Sequence, residues 1–388
     1  MGRYFVGREA ELKTLSQCLA GLAAGQPSHA FVAGVHGTGK SSFLDKAVAI
    51  AKSEGFVGAE TRLDDGASAI VSIRKILRAT VVAVEDSCNN SARLVDDWDS
   101  GAQSTFFRQA KSSELDSDAV LADLKNLSDI ARDNGAQGIV LCIDEGQRVP
   151  PAAITALKNA LERESRILVI LSLRLVTEEV GARKGGRALL DEIASGAEGD
   201  YGASRLFVTE LGMGPFATSE EAHRCITKRL EDNTVDFDFT VIQDICDLSE
   251  RVPREIISYA NKVWTLASQA GGSSPVATSE TLAAVFREVH ILETDRALGV
   301  VSRLSGLKQT ILRTLLTLGG RASIEDLVGL LHDERAGERE VLERAVEGEL
   351  ADLEAQIHGL TRQPGHQDTF EIPRSIDVFA LRLALEEL

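Results

Sequence analysis

The sequence predicts an α/β fold in which a parallel β-sheet is followed by a helical segment and a small C-terminal domain. A glycine-rich loop, residues 34–41, lies between a short apolar run and a helical pattern. Two later runs, 139–143 and 167–171, consist only of apolar residues, which is typical of strands buried on both faces of a parallel sheet. From about residue 300 the pattern changes to three helices and a hairpin.

The chain opens with an extended segment, Phe5–Leu12, that runs into an amphipathic helix. The helical spacing is that of four leucines, Leu12, Leu15, Leu19 and Leu22. By itself this pattern favours a helix that packs on the core.

The glycine-rich loop matches the phosphate-loop pattern G-x-x-x-x-G-K-[ST] in a strand–loop–helix context. Glycines let successive backbone N–H groups curl around a phosphate, and the helix that starts there points its positive dipole end at the anion. Lys40 can reach the β- and γ-phosphates, and Ser41 can offer its hydroxyl to Mg²⁺. The alternative is a purely structural turn. We expect a nucleotide to contact Gly34, Val35, His36, Gly37, Thr38, Gly39, Lys40, Ser41 and Ser42.

Two carboxylates, Asp144 and Glu145, follow the apolar run 139–143. The carboxyl ends of parallel strands are where such sheets place ligands. Asp144 would hold the Mg²⁺ shell, and Glu145 would orient and deprotonate the attacking water. Two surface acids in a strand-to-helix turn are the alternative, and the phosphate loop upstream argues against it.

The second apolar run ends in polar residues. Ser172 could polarise the water or touch the γ-phosphate, and the alternative is that it simply ends a strand. Arg174 lies within reach of the same pocket. Residues 204–208 predict the last strand. Further on, Pro253 suits the first turn of a helix, near whose start Arg254 would project. A solvated surface position is the alternative for Arg254.

Three helices followed by a hairpin predict a winged-helix domain at the C-terminus. When such a domain reads DNA, its third helix enters the major groove and basic residues meet the phosphates. Here the third helix has two arginines, Arg339 and Arg344, against seven acids, which a phosphate backbone would repel. A protein-docking face or an intramolecular clamp on the nucleotide site is therefore favoured over DNA. The acids are Glu338, Glu340, Glu343, Glu347, Glu349, Asp352 and Glu354.

Composition bounds the class of protein. The 388 residues suit two or three domains, and 44% hydrophobic with 26% charged residues is typical of a globular protein in water. The sequence shows neither a membrane-spanning run nor a signal-peptide core, and its five cysteines lack metal-site spacing, so we expect a cytoplasmic protein with reduced thiols. A net charge of −17 opposes non-specific binding of nucleic acid.

Together these motifs resemble the AAA+ superfamily, within it the clade that joins origin-recognition initiators to the STAND signalling ATPases. Residues 34–41 match Walker A, and 139–145 match Walker B. The segment 171–174 looks like sensor 1, although many AAA+ proteins carry Asn where Ser172 stands. Residues 204–206 are similar to the arginine-finger box, and 252–254 look like the lid motif whose arginine is sensor 2.

The resemblance implies a P-loop AAA+ core over residues 1–212, an α-helical lid over 213–298 and a winged-helix domain over 299–388. It implies ATP and Mg²⁺ as cofactors, with backbone around Val6 and Gly7 lying over the adenine. It also implies a homo-oligomer in which a neighbour's arginine completes the site, with Arg183, Arg187 and Arg205 left open as that arginine. The implied catalytic residues are Lys40, Glu145, Ser172, Arg205 and Arg254, and the implied metal ligands are Ser41 and Asp144.

The leading hypothesis is a slow, assembly-stimulated ATPase whose nucleotide state controls self-assembly and the docking of partner proteins through the acidic C-terminal domain. One alternative is a DNA-binding loader of the initiator or transposition type. The other is a scaffold that holds ATP without hydrolysing it. Neither the biological process nor the partners can be inferred from the sequence.

Overall fold

The structure is a computed structural model that describes residues 4–87, 94–100, 104–106, 115–175, 207–231, 235–270, 275–331, 339–357, 360–363, 366–372 and 374–386. The chain divides into two compact units. The first comprises Met1–Cys225 with Val252–Arg254, and the second comprises Ile226–Arg251 with Glu255–Leu388.

A five-stranded parallel sheet with the strand order β2-β3-β4-β1-β5 forms the centre of the first unit. The α/β fold with a parallel sheet, which the sequence predicts, is therefore confirmed. The described elements of this part are α1 (Glu9–Ala23), β1 (His29–Gly34), α2 (Lys40–Ser53), β2 (Val57–Arg62), α3 (Ala69–Ser87), α4 (Leu94–Asp99), α5 (Ser117–Asp133), β3 (Ile139–Asp144), α6 (Pro151–Leu161), β4 (Ile167–Arg174), β5 (Phe207–Gly212) and α7 (Ser219–Leu230). The residues of α7 from Ile226 on are counted with the second unit.

Helices cover both faces of the sheet, so its central strands are apolar throughout. Every residue of β1 and β3 is buried. Successive side chains of a strand point to opposite faces. Accordingly Ile139 and Leu141 belong to a cluster with side chains of α3, α5 and α6, whereas Val140 and Cys142 belong to a cluster with side chains of α1 and α2. Burial on two faces explains the unbroken apolar runs of the sequence.

The strand register gathers the carboxyl ends of the strands at one edge of the sheet. Gly34 of β1 lies opposite Arg174 of β4, and Arg62 of β2 lies opposite Asp144 of β3. The loop after β1 and the polar residues after β3 and β4 are thereby brought together.

The last strand of the sheet differs from the sequence prediction. The described strand β5 runs from Phe207 to Gly212, further along the chain than the predicted 204–208. It pairs with β1 beginning at His29 opposite Phe207. Residues 204–206 lie outside the described part of the chain.

The second unit is mainly helical. Its first described elements are β6 (Asp236–Phe237), α8 (Phe239–Leu248), α9 (Pro253–Gln269), β7 (Val276–Ala277), α10 (Ser279–Val289) and α11 (Ile291–Val301). The helix α9 begins at Pro253, as the sequence predicts. Its first two residues, Pro253 and Arg254, are counted with the first unit.

The remainder of the second unit combines helices with a small antiparallel sheet. Its described elements are α12 (Gly306–Thr317), β8 (Arg321–Ser323), α13 (Ile324–Leu331), α14 (Arg339–Gln356), β9 (Thr361–Gln363), β10 (His366–Glu371) and α15 (Ser375–Glu386). The sequence analysis anticipated the three helices and the hairpin but missed β8, which pairs with β10, and α15. Naming this part a winged-helix domain, like the division into three domains, stays a prediction.

The helix α14 shows how these elements are stabilised. Val346, Leu350 and Leu353 recur on one face of the helix and are buried, as is Ile357 just after its end. Among the described helices, none combines the length and apolar character needed to cross a membrane.

Candidate functional site

The loop between β1 and α2 has a conformation that its glycines permit. Gly37 has a φ of +87°, and a Cβ there would come within 2.9 Å of the Cβ of Arg254. A Cβ at Gly34 would lie 2.2 Å from the carbonyl oxygen of Met213. Any larger residue at these two positions would therefore force the loop or its neighbours to move.

Lys40, the first residue of α2, turns back across the loop. Its Nζ donates to the carbonyl oxygens of Gly34 at 2.9 Å and Val35 at 2.8 Å. An ammonium group has three hydrogens, so one remains for a ligand oxygen. Burial lowers the pKa of Lys40, while the charge of Asp144 opposes that shift.

Three cations act on the loop. Burial lowers the pKa of His36, and the charges of Arg254, Arg174 and Lys40 lower it further, whereas the charge of Glu145 opposes the shift. These cations come from three separate segments of the chain. Together with the N-terminus of α2 they make this loop a favourable place for an anion.

Asp144 lies opposite the loop, at the carboxyl end of β3, and only 4% of it is exposed. Ser41 Oγ donates to its Oδ2 at 2.8 Å. Its Oδ1 accepts hydrogen bonds from Ser172 Oγ and, at 2.9 Å, from the backbone N–H of Glu145. Three residues that the sequence assigned to one site are thus joined through a single carboxylate.

The donor set around Asp144 fits Mg²⁺. A hydroxyl and a carboxylate are hard oxygen ligands, and Mg²⁺ is commonly held by one or two such groups together with substrate phosphates. Among the described residues no group of three or more His, Cys, Asp or Glu side chains forms an all-protein metal site. A magnesium site that phosphate oxygens complete does not require such a group of side chains.

Glu145 is held firmly in an unusual backbone conformation. Its φ is +58°, in the left-handed region. Gln147 Nε2 donates to its Oε2 at 2.5 Å, while Arg62 Nη2 and Arg148 Nε lie 3.4 and 3.5 Å from its carboxylate oxygens. Its side chain is 19% exposed.

These neighbours of Glu145 escaped the sequence analysis. Gln147 and Arg148 stand two and three residues after it, in a short 3₁₀ turn. Gln147 also accepts a hydrogen bond from the backbone N–H of Arg174 at 3.1 Å, which ties the turn to β4. Arg62 ends β2, so the adjacency of β2 and β3 would have revealed it.

The segment Val6–Arg8 lies against the start of α7. Gly7 is buried, and a Cβ on it would meet the carboxylate of Glu221 at 2.8 Å. The backbone N–H groups of Ala217 and Thr218 donate to Glu221 at 2.9 and 3.2 Å, closing the N-terminus of the helix. Burial opposes ionisation, but hydrogen bonds from the backbone of Thr218, Ala217 and Arg8 hold the pKa of Glu221 below its usual range.

Some of the arginines predicted for the site lie in the described part of the chain, and others do not. The backbone N–H of Arg254 donates to the carbonyl oxygen of Gly37 at 3.2 Å, so this residue contacts the loop directly. Arg183, Arg187 and Arg205 lie outside the described residues. Of the remaining predicted contacts, Thr38 is fully buried and Ser42 is exposed.

One part of the chain matches a known protein family. Residues 4–172 match the family described as AAA ATPase domain. The match covers less than half of the chain and includes the loop, Asp144, Glu145 and Ser172. This part of the chain is therefore similar to AAA ATPase domains.

Comparisons with whole proteins add little. No curated protein matches the chain. The Holliday junction branch migration motor RuvB of Thermotoga maritima is similar at 16% identity, with 96% of this chain and 94% of that chain covered and a TM-score of 0.44. Drosophila ORC bound to DNA is similar at 13% identity, with 98% and 88% covered and a TM-score of 0.45. Likenesses this weak carry no functional argument.

Proposed function

We propose that this protein, through the AAA ATPase domain matched by residues 4–172, binds Mg–ATP and hydrolyses it slowly to ADP and phosphate. The observation that carries the proposal is the 2.8 Å hydrogen bond from Ser41 Oγ to Asp144 Oδ2 beside the positively charged loop. It joins residues 103 positions apart, from the phosphate-loop motif and from the acidic strand end.

Each residue of the site has a distinct task in this proposal. The backbone of the loop and the free hydrogen of Lys40 Nζ bind phosphate oxygens. Ser41 and Asp144 hold Mg²⁺, which when bound withdraws charge from the phosphate oxygens. Ser172 orients Asp144 through its hydroxyl and contacts the γ-phosphate.

Glu145 is proposed as the general base. Its carboxylate takes a proton from a water molecule whose oxygen forms a bond to the γ-phosphorus, while the bond from that phosphorus to the bridging oxygen breaks. ADP and inorganic phosphate are the products. Because Arg62, Arg148 and Gln147 already engage the carboxylate, a water molecule must compete with these groups to reach it, and this supports a slow rate that assembly or a partner increases.

The finer proposal is that the nucleotide state controls self-assembly and partner docking. Arg254, whose backbone contacts the loop, would report the γ-phosphate, and Arg205 of a neighbouring copy would supply transition-state charge. Residues 299–388 would form a winged-helix domain that binds proteins. In support of protein over DNA, Glu343 and Glu347 on α14 are exposed.

Calorimetry with Mg–ATP tests nucleotide binding. We expect binding by the wild-type chain and its loss in Lys40→Ala, because the mutation removes a cation aimed across the loop. Lys52→Ala is the matched control, since Lys52 is an exposed lysine at the other end of α2. No heat for the wild type at millimolar Mg–ATP would refute the proposed function.

Phosphate release measured against protein concentration tests hydrolysis. We expect the rate per chain to rise with concentration and to fall by about 10²–10⁴-fold in Glu145→Gln. The exposed Glu162→Gln serves as the control. An unchanged rate in Glu145→Gln would show that another group is the base.

One alternative is favoured by a specific observation. The engagement of the Glu145 carboxylate by two arginines and a glutamine also suits a scaffold that holds ATP without turning it over. A flat, near-zero rate at all concentrations, together with tight Mg–ATP binding, would identify the scaffold. The DNA-loader alternative stays a prediction, tested by an ATP-stimulated, salt-dependent shift of a labelled duplex.

A further inference from the structure

Arg8 is a charged residue in a place where charge is costly. Only 7% of it is exposed, although it lies outside the phosphate-loop motif. Its guanidinium stacks over the ring of Phe216, with its central carbon 5.2 Å from the ring centroid, and lies 3.7 Å from Glu11. Burial lowers the pKa of Arg8, and the charges of Glu11 and Glu221 oppose that shift. Such a buried cation is retained only where its contacts compensate for lost hydration.

The contacts of the guanidinium are backbone carbonyl groups. Arg8 Nη2 donates to the carbonyl oxygen of Thr38 at 3.1 Å and also to that of Gly214. Thr38 is fully buried and belongs to the phosphate loop. The same arginine is the N-cap residue of α1, and its own carbonyl accepts the N–H of Leu12 at 2.8 Å.

Holding a carbonyl oxygen also fixes the amide group beside it. A trans peptide unit is planar, and its N–H points in the direction opposite to its C=O. With the Thr38 carbonyl turned towards Arg8, the N–H of Gly39 must therefore point away from the guanidinium. The preceding unit is held in the same manner, because the Gly37 carbonyl accepts the N–H of Arg254, which leaves the N–H of Thr38 facing away from Arg254.

The loop needs this external support. Gly37 and Gly39 have φ values of +87° and +94°, and glycine is the residue that moves most freely between alternative conformations. Without partners on its carbonyl side, a peptide unit flanked by glycine could rotate and present its oxygen where an anion needs a hydrogen. An oxygen in that position would repel phosphate.

We infer that Arg8 is a positioning residue for phosphate binding, whose guanidinium fixes the Thr38–Gly39 peptide so that the N–H of Gly39 serves the nucleotide. The inference rests on the proposed function. Arg8 touches no reacting atom and acts through the loop. Its contribution is made equally in the ground state and in the transition state, so it affects binding and leaves the chemical step alone.

The test compares Arg8→Met, Arg8→Lys and Arg224→Met by calorimetry with Mg–ATP and by steady-state phosphate release. Methionine keeps an unbranched stem without donors, and lysine keeps the charge on a shorter group without the planar fork. Arg224 is the matched control, because it lies in the same unit, pairs with Glu9 and is half exposed. We expect the Kd and KM for Mg–ATP to rise about tenfold in Arg8→Met and about threefold in Arg8→Lys, with kcat unchanged in both. This corresponds to about 1.4 kcal/mol for the tenfold change.

A merely structural role gives a different pattern. Loss of folded protein lowers kcat per chain and leaves KM unchanged, so that result, or an unaltered Kd, would overturn the inference. If Arg8→Met does not fold, Arg8→Lys decides between the same two patterns. If the wild type binds no Mg–ATP, the proposed function itself is wrong. If Lys40→Ala loses binding but the Arg8 variants bind like the wild type, only the positioning role of Arg8 is wrong.

Discussion

Asp144 and Asp123 are both buried aspartates of the first unit, 4% and 1% exposed, and each is surrounded by hydrogen-bond donors. Three donors to Asp123 come from consecutive residues, with Ser104 Oγ at 2.6 Å and the N–H groups of Thr105 and Phe106 at 2.8 and 3.2 Å. The donors to Asp144 come from α2, from β4 and from the next residue along the chain.

The difference shows how a structural carboxylate can be distinguished from a functional one. Asp123 lies within α5 and ties one short segment to the helix through these three hydrogen bonds. Asp144 ends a central strand and faces a loop that carries Lys40. A buried acid whose partners converge from distant segments beside the lysine of a phosphate loop is prepared for a ligand, whereas one that accepts several hydrogen bonds from a single short segment holds that segment in place.

Asp144→Asn offers the largest expected effect and the strongest test of this comparison. Removing the charge that would hold Mg²⁺ should lower phosphate release by about 10²–10³-fold, or ~3–4 kcal/mol of transition-state stabilisation. Asp123→Asn should leave kcat and KM per folded chain within about twofold. The comparison is wrong if both variants lose hydrolysis to the same extent at equal folded fractions.

His29 extends the comparison to the amino end of the sheet. It is 3% exposed, its Nδ1 accepts the N–H of Val169 at 3.0 Å, and burial lowers its pKa to about 4. In the unfolded chain His29 takes up its proton at the ordinary pKa near 6.5, so below that pH protonation favours the unfolded state. The contribution of neutral His29 to the free energy of unfolding is therefore complete above pH 6.5 and is lost as pH falls towards 4. We expect a loss of about 3 kcal/mol over that window.

Urea unfolding of the wild type and His29→Gln between pH 7 and 4 measures this effect. The variant should be less stable at pH 7 but should lose less stability on acidification than the wild type. Parallel pH dependences in the two proteins would show that His29 does not carry the effect.

We expect Asp123→Asn to reduce the stability of the protein, whereas Asp144→Asn reduces its activity. Neutralising the acceptor of two backbone N–H groups and a serine hydroxyl is expected to lower the free energy of unfolding by about 2 kcal/mol. Asp133→Asn, an exposed site at the end of the same helix, is the control. A stability equal to that of the control would show that Asp123 does not hold the segment.

The smallest effect concerns the N-terminus of α5. Asp116 caps this helix by accepting the N–H of Asp118 at 2.9 Å. Asp116→Ala should lower the free energy of unfolding by about 1 kcal/mol, and Asp116→Ser should retain most of it. Chemical denaturation measures the free energy of unfolding of both variants. If Asp116→Ala lost as much stability as Asp123→Asn, the contribution of the helix cap could not be distinguished from that of the segment held by Asp123.

Local patterns in the sequence determined much of the first unit. Unbroken apolar runs predicted β3 and β4 because strands covered on both faces have no polar side. The phosphate-loop motif predicted a strand, a turn and a helix at 30–50, since its glycines and lysine have meaning only in that order. Asp144 and Glu145 were found for the same reason, as acids at the end of an apolar strand.

Only the tertiary structure decided which residues support those motifs. Arg62, Gln147 and Asp123 lack any local pattern that distinguishes them, because their importance comes from partners that are distant in sequence or set by the turn. Arg8 belongs to the opening segment that the sequence singled out, but the contact of its side chain with the phosphate loop was not predicted. Arg8 meets Thr38 thirty positions on, and Arg62 meets Glu145 eighty-three positions on. Periodicity records which face of an element is buried, whereas a hydrogen bond between two segments depends on strand order and register, which no single segment encodes.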